Sequence, residues 1–468
     1  MFVTTGGTTQ QVDLAVQEKR QRLGNFIPIP GASKLNNAVK NRNIHEILRH
    51  HALNISSICS AALYCRRDVK SRPQCRGFVS YFTHALRFVS SLILIVACCG
   101  ATWAQTPASS GISLPTQLRV QASGWWPTKG DARRDEYVGA DVCAGCHEAK
   151  AQSQRNTAMA HASSQAADSE ALRDHEHLVF QAGPYSYQLL TQGGKSILTV
   201  QGETSSQAVE LQWAFGSAHM GQTYIYERDG SFYESHVSFF AAPQSLDITP
   251  GQPRAVAKSI EDAAGRRMSP EETHRCFGCH MTAATSENHF DPSAANTGVT
   301  CEACHGPGAK HVASARAGTE KRGSGLILNP LQLDRVDSVD FCGACHRTWE
   351  DVIENHLIGI GVYNVRFAPY RLENSRCWKK GDTRITCIAC HDPHRPLVRD
   401  PDSYDANCLE CHIVKTRAKR TGSHPTACPV SVKNCVSCHM PRVETPDLHS
   451  TFTDHWIRIV KPNAPYPN

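Results

Sequence analysis

The feature that most constrains this 468-residue chain is a five-residue pattern, Cys-x-x-Cys-His, that occurs seven times. It stands at Cys143, Cys146 and His147; Cys276, Cys279 and His280; Cys301, Cys304 and His305; Cys342, Cys345 and His346; Cys387, Cys390 and His391; Cys408, Cys411 and His412; and Cys435, Cys438 and His439. From this composition about 0.05 copies are expected by chance. Two cysteines three apart on one helical turn can reach the two vinyl groups of a haem as thioethers, and the histidine that follows lies under the iron as proximal ligand. Seven covalently attached haem c groups are the expected cofactors. Zinc is the competing reading, because Cys-x-x-Cys pairs also build tetrahedral sites. Zinc needs the pairs matched two by two, and seven is odd. It also gives no reason for a histidine after every second cysteine.

The sixth position on each iron is the next question. Close to motifs stand His311, after the turn Gly306-Pro307-Gly308; His394, closing Cys390-His-Asp-Pro-His394; and His449 and His455, after the last motif. His274, two residues before Cys276, and His219, in Gly216-Ser-Ala-His219, are further candidates, and Met159 or His161 for the first haem. Gly accepts positive φ and Pro fixes φ, so the Gly-Pro-Gly turn reverses the chain after His305 and sends His311 to a neighbouring haem. The alternative for each histidine is a loop residue bonded to backbone or to a haem propionate. Cys377 and Cys428 fall outside the motifs. A disulfide between them is allowed in an oxidising compartment, and a buried free thiol is the alternative.

Charge and texture divide the chain. Its first 104 residues hold 13 Lys and Arg against four acids, and the remaining 36 basic and 39 acidic residues leave the body at net −3. The basic balance belongs to the leader, so no nucleic-acid partner is expected. The apolar run that starts at Phe88 is about 14 residues long, short for a bilayer span but suited to a signal peptide cleaved after Ala104. Two alternatives would associate the protein with a membrane: an uncleaved anchor, or a lipidated Cys98 in the lipobox-like Ile95-Val-Ala-Cys98. Residues 1–85 read as a leader with an over-extended start, 86–104 as the signal peptide, 105–140 as a linker and 141–175 as the first haem segment. A β-rich insertion is expected over 176–262 and a six-haem cytochrome domain over 263–468.

The insertion is read from stretches such as Tyr185-Ser-Tyr-Gln-Leu-Leu and Phe232-Tyr-Glu-Ser-His-Val-Ser-Phe, with Asp229-Gly230 as a hairpin turn. From Cys276 onward the motifs follow at intervals of 25, 41, 45, 21 and 27 residues, in a region poor in long apolar runs. Such a segment buries little side-chain surface of its own, so haems are expected to serve as its core. The expected fold is therefore mostly α and irregular, a multihaem cytochrome fold packed around haems, with a small antiparallel β-rich insertion between haem 1 and haem 2.

Three segments carry a family resemblance: Cys301-Glu-Ala-Cys-His-Gly-Pro-Gly-Ala-Lys-His311, Thr386-Cys-Ile-Ala-Cys-His-Asp-Pro-His394, and Cys435-Val-Ser-Cys-His-Met-Pro441 with the later Phe452-Thr-Asp-His455. They resemble the multihaem cytochromes related to the tetrahaem cytochrome c of nitrifiers, members with doubled Cys-x-x-Cys-His repeats being nearest. Val138-Gly-Ala-Asp-Val-Cys143 and Gly216-Ser-Ala-His-Met-Gly-Gln-Thr-Tyr224 are similar to segments of larger members. The resemblance implies export, haem attachment in the periplasm, closely packed haems and mostly bis-His irons. The function it implies is electron transfer between redox protein partners, donor and acceptor unnamed. The alternative is a multihaem oxidoreductase acting on a small nitrogen or sulfur oxyanion at a five-coordinate haem. Relatives that reduce nitrite mark that haem with Lys in place of the motif His, and no such variant occurs here. Two propionates on each haem make the holoprotein more acidic than the polypeptide, which favours a basic docking partner.

Overall fold

The computed structural model describes residues 113–122, 124–319, 325–379, 381–412, 428 and 430–461. The expectations for the leader, the signal peptide and Cys98 lie outside the described residues. Period-two alternation of apolar and polar residues makes strands of much of the segment after the first motif. They are β1 (Ser163–Gln165), β2 (His177–Ala182), β3 (Tyr185–Gln192), β4 (Lys195–Gln201), β5 (Ser206–Leu211), β6 (Trp213–Phe215), β7 (Gly221–Arg228), β8 (Ser231–Phe240), β9 (Ser245–Ile248) and β10 (Gly265–Arg267). Strands β2 to β5 form a four-stranded antiparallel meander. A six-stranded antiparallel sheet runs β1-β6-β7-β8-β10, with β9 also on β8. Asp229 and Gly230 both have positive φ (52° and 67°), as a two-residue type I′ turn between β7 and β8 requires.

The six-stranded sheet is covered on both faces, which explains why Tyr224, Ile225 and Tyr226 are all buried. Tyr224 and Tyr226 point with Ala214, Val237 and Phe239 into a cluster shared with Leu189, Leu198 and Val200 of the meander. Ile225 points the other way, with Trp213 and Phe215, onto Phe277 and Met281. Each fully buried Leu or Phe here contributes about 2 kcal/mol by removal from water.

The remaining elements are short. Helices α1 (Ala140–Arg155), α2 (Pro270–His280), α3 (Cys301–His305), α4 (Ala309–Arg316), α5 (Arg335–His346), α6 (Asp405–His412) and α7 (Cys435–His439) carry or flank motifs. The fifth motif begins as a single 3-10 turn, Cys387–Ala389. Two-stranded ribbons, including β11 (Arg442–Thr445) with β12 (Ser450–Thr453), close the loops. Small clusters around Val339, Leu372 and Trp378, and around Val352, Phe367 and Tyr370, pack this region.

The structure corrects the expected fold class. A mostly α and irregular fold packed around haems does not form, because the main apolar core lies between and beneath two antiparallel sheets built from the chain's own side chains. Nor is the β structure a small insertion over 176–262. Strands β1 and β10 lie outside those bounds, and both extend the six-stranded sheet. Their sequences, Ser-Ser-Gln and Gly-Arg-Arg, show no apolar alternation; pairing with β6 and β8 decides their conformation. Cys377 and Cys428 are both free thiols. Among the described residues no helix is long and apolar enough to cross a membrane.

Candidate functional site

Helix ends position the motif residues. In α2, α3, α5, α6 and α7 the motif histidine is the last helical residue, and in α1 the helix is kinked at His147 (φ −113°, ψ 41°). The cysteines of one motif therefore share a turn, and the histidine leaves the helix beside them. All fourteen motif cysteines are free and at least partly exposed. The second motif is the one seated on the sheet. Phe277, between its two cysteines, meets Trp213, Phe215, Phe232 and Phe290 edge-to-face, with ring centroids 4.8–5.4 Å apart.

Several imidazoles have their Nδ1 fixed by a carbonyl. His280 Nδ1 donates to Ala162 O (2.9 Å), His305 to Leu328 O (2.8 Å), His439 to Arg458 O (2.8 Å) and His455 to Thr453 O (3.0 Å). A carbonyl can only accept, so Nδ1 carries the proton and Nε2 keeps its lone pair, the tautomer a metal-bound histidine needs. Burial lowers the pKa of His280, His305 and His391. It pushes His455 down to about 4, with neighbouring His391 adding to the effect. These rings stay neutral at pH 7.

Among the described residues no group of three or more His, Cys, Asp or Glu gathers as a metal cluster; instead, imidazoles meet in pairs. His147 faces His311 at 6.3 Å between ring centroids and 19° between planes, His305 faces His394 at 5.9 Å and 16°, and His391 faces His455 at 6.2 Å and 47°. A metal–imidazole bond is about 2 Å and the ring centre lies about 1 Å beyond it, so two rings on opposite sides of one iron stand about 6 Å apart. The three separations match that requirement.

The motifs also form one connected array. Thiols of different motifs lie near enough to shift one another's pKa: Cys143 and Cys301, Cys279 and Cys345, Cys342 and Cys387, and Cys408 and Cys435. Within the first pair the interaction holds Cys143 up and lowers Cys301 to about 7. Asn407 Nδ2 of α6 donates to Ala389 O of the fifth motif at 2.9 Å. Cys304 lies close enough to Cys342 to raise its pKa electrostatically, after burial. In α6 the Asp405 carboxylate accepts the Asn434 and Cys435 N–H groups, both at 2.8 Å, at the start of α7.

One buried polar group suits the cofactor. Arg347 follows the fourth motif histidine in left-handed conformation (φ 71°), and its Nη1 is buried without a hydrogen-bond partner. Burial lowers its pKa, and Arg275, Asp351 and the second motif's cysteines lie nearby. A guanidinium left without an acceptor beside two haem-attachment motifs fits a propionate carboxylate.

The remaining candidates stand elsewhere. His449 lies 2.7 Å from Asp247 and against the Phe240 ring, with no motif histidine as its ring neighbour among the described residues. His274 packs on Phe290 at 4.6 Å. His219 and His161 are exposed. Met159 contributes its backbone carbonyl to Val299 N. Sequence reading missed Glu302, Asp405 and Arg347. The first two had a visible signal, an acid inside or just before a motif.

Residues 235–306 match the family described as cytochrome c554 and c-prime, a span that takes in the second and third motifs. The match supports a relationship to the c-type cytochromes, and with it covalently attached haem c and electron transfer. No curated protein matches the chain. No solved structure matches it either.

Proposed function

We propose that the chain is an exported, extracytoplasmic heptahaem cytochrome that carries electrons between redox protein partners. The observation that carries the reading is the set of three imidazole pairs at the spacing of two axial ligands on one iron. Haem would supply a one-electron couple at each motif. The motif cysteines would hold it covalently, the motif histidines would bind one face, and His311, His394 and His455 would bind the other face at the first, third and fifth motifs. Arg347 would hold a propionate.

The thiol proximities, with the Asn407–Ala389 hydrogen bond between the fifth and sixth motifs, support an order for the centres: first, third, fourth, fifth, sixth, seventh, with the second joined to the fourth. Neutral, carbonyl-anchored imidazoles reorganise little when the charge on iron changes, which suits a carrier. Mass spectrometry of the matured protein should show seven haem additions. Low-temperature EPR of the oxidised protein should show low-spin signals from the three paired centres. Six additions or fewer after full maturation would remove a motif from the set. A high-spin centre that binds a nitrogen or sulfur oxyanion would favour the oxidoreductase instead.

A further inference from the structure

Glu302 occupies the first variable position of the third motif and is only 1% exposed. Its Oε1 accepts from Val138 N (2.8 Å) and Gly308 N (2.9 Å), and its Oε2 accepts from Gly139 N (2.8 Å). Gly139 is the N-cap of α1 and Gly308 the N-cap of α4. One buried carboxylate therefore closes the N-termini of two helices, where free N–H groups and the helix dipole both favour negative charge. Those helices carry the two members of one imidazole pair: His147 lies in α1, and His311 is the third residue of α4. The contact leaves little slack. A Cβ on Gly308 would lie 3.0 Å from Val138 Cγ2 and 3.3 Å from Glu302 Oε1.

We propose that Glu302 is the positioning residue of the first centre, its carboxylate setting His147 and His311 at the separation one iron requires. The inference rests on the reading that these two histidines share an iron. It makes the third motif a structural partner of the first beyond its own haem, since a residue between the third motif's cysteines fixes the axial geometry of another haem.

The test compares Glu302→Gln, Gly308→Ala and His311→Ala in the fully haem-loaded protein, by haem count, EPR and redox titration. Glu302→Gln keeps the side chain's shape, but its Nε2 cannot accept an N–H, so at least one helix terminus loses its acceptor. His311→Ala should keep seven haems and turn one low-spin iron high-spin. Glu302→Gln should keep seven haems and change the g-values and potential of that same centre, leaving the others unmoved. Gly308→Ala, reaching the contact from the other side, should move that signal too. If His311→Ala gives the high-spin iron while Glu302→Gln and Gly308→Ala match the parent spectrum, Glu302 has no positioning role and the proposal falls. If His311→Ala leaves every iron low-spin, the shared-iron reading itself is wrong.

Discussion

Replacing Asp454 by Ala should be among the most costly single changes outside the sheets. Its side chain and that of Arg371 are fully buried, 0% exposed each. Arg371 Nε and Nη2 donate to the two carboxylate oxygens at 2.9 Å, and Arg458 Nη1 adds a third bond at 2.5 Å. Trp456 N donates to the same carboxylate at 3.0 Å, so the group also shapes the chain on either side of His455. Removing one partner of a buried pair leaves the other charge desolvated, which costs about 3–5 kcal/mol. Replacing both members of the pair with apolar side chains removes that penalty and leaves only the Arg458 Nη1 and Trp456 N–H donors without their acceptor. Arg371→Met with Asp454→Leu should therefore recover most of the loss and lie within about 2 kcal/mol of the parent. Urea unfolding followed by far-UV circular dichroism reads the stability, and EPR reads the fifth centre, where His455 faces His391. The single variant should lose stability and perturb that centre, and the double variant should recover most of the stability. A loss below about 1 kcal/mol in the single variant, or a double variant as unstable as the single, would refute the desolvation argument.

His394→Ala and His455→Ala should each convert one iron to high-spin while keeping every haem attached, and the double variant should convert two, as counted by EPR. Phe277→Ala empties the aromatic box under the second motif and should cost about 3–5 kcal/mol in denaturant unfolding, with unchanged haem mass. A hydrogen bond from Arg266 holds the Glu272 carboxyl below its ordinary value of 4.5. That stabilisation is complete above the unfolded value and is lost as pH falls through the lower folded one. Because the pair is partly exposed, Glu272→Gln should cost at most about 1 kcal/mol at pH 7, and the gap from the parent should vanish in acid unfolding curves.

The motifs can be read from sequence because each is local, five consecutive residues with a fixed spacing, and the family match takes in two of them. Strands β3 and β4 were legible for the same reason, since their alternation is written in their own residues. Strands β1 and β10 were not, because Ser-Ser-Gln and Gly-Arg-Arg become strands only against Trp213–Phe215 and Tyr233–Ser235. Among the candidate ligands, nearness to a motif did not separate His449 from His455. The β11–β12 ribbon does, turning at Pro446–His449 so that His449 reaches Asp247 while His455 meets His391. Glu302 was visible as an acid within a motif, yet its partner Val138 lies 164 positions away, a separation no local pattern reports.

The two-sheet core also bears on how the protein is assembled. The cluster between the meander and the six-stranded sheet contains no motif residue, and the motif thiols are all at least partly open to solvent. A newly made chain can therefore collapse its sheets before any haem is attached, with the motif cysteines still open to solvent. Cells unable to attach haem should accumulate a protease-resistant β fragment rather than a wholly unfolded chain. Its boundaries, found by limited proteolysis, should lie close to Ser163 and Arg267.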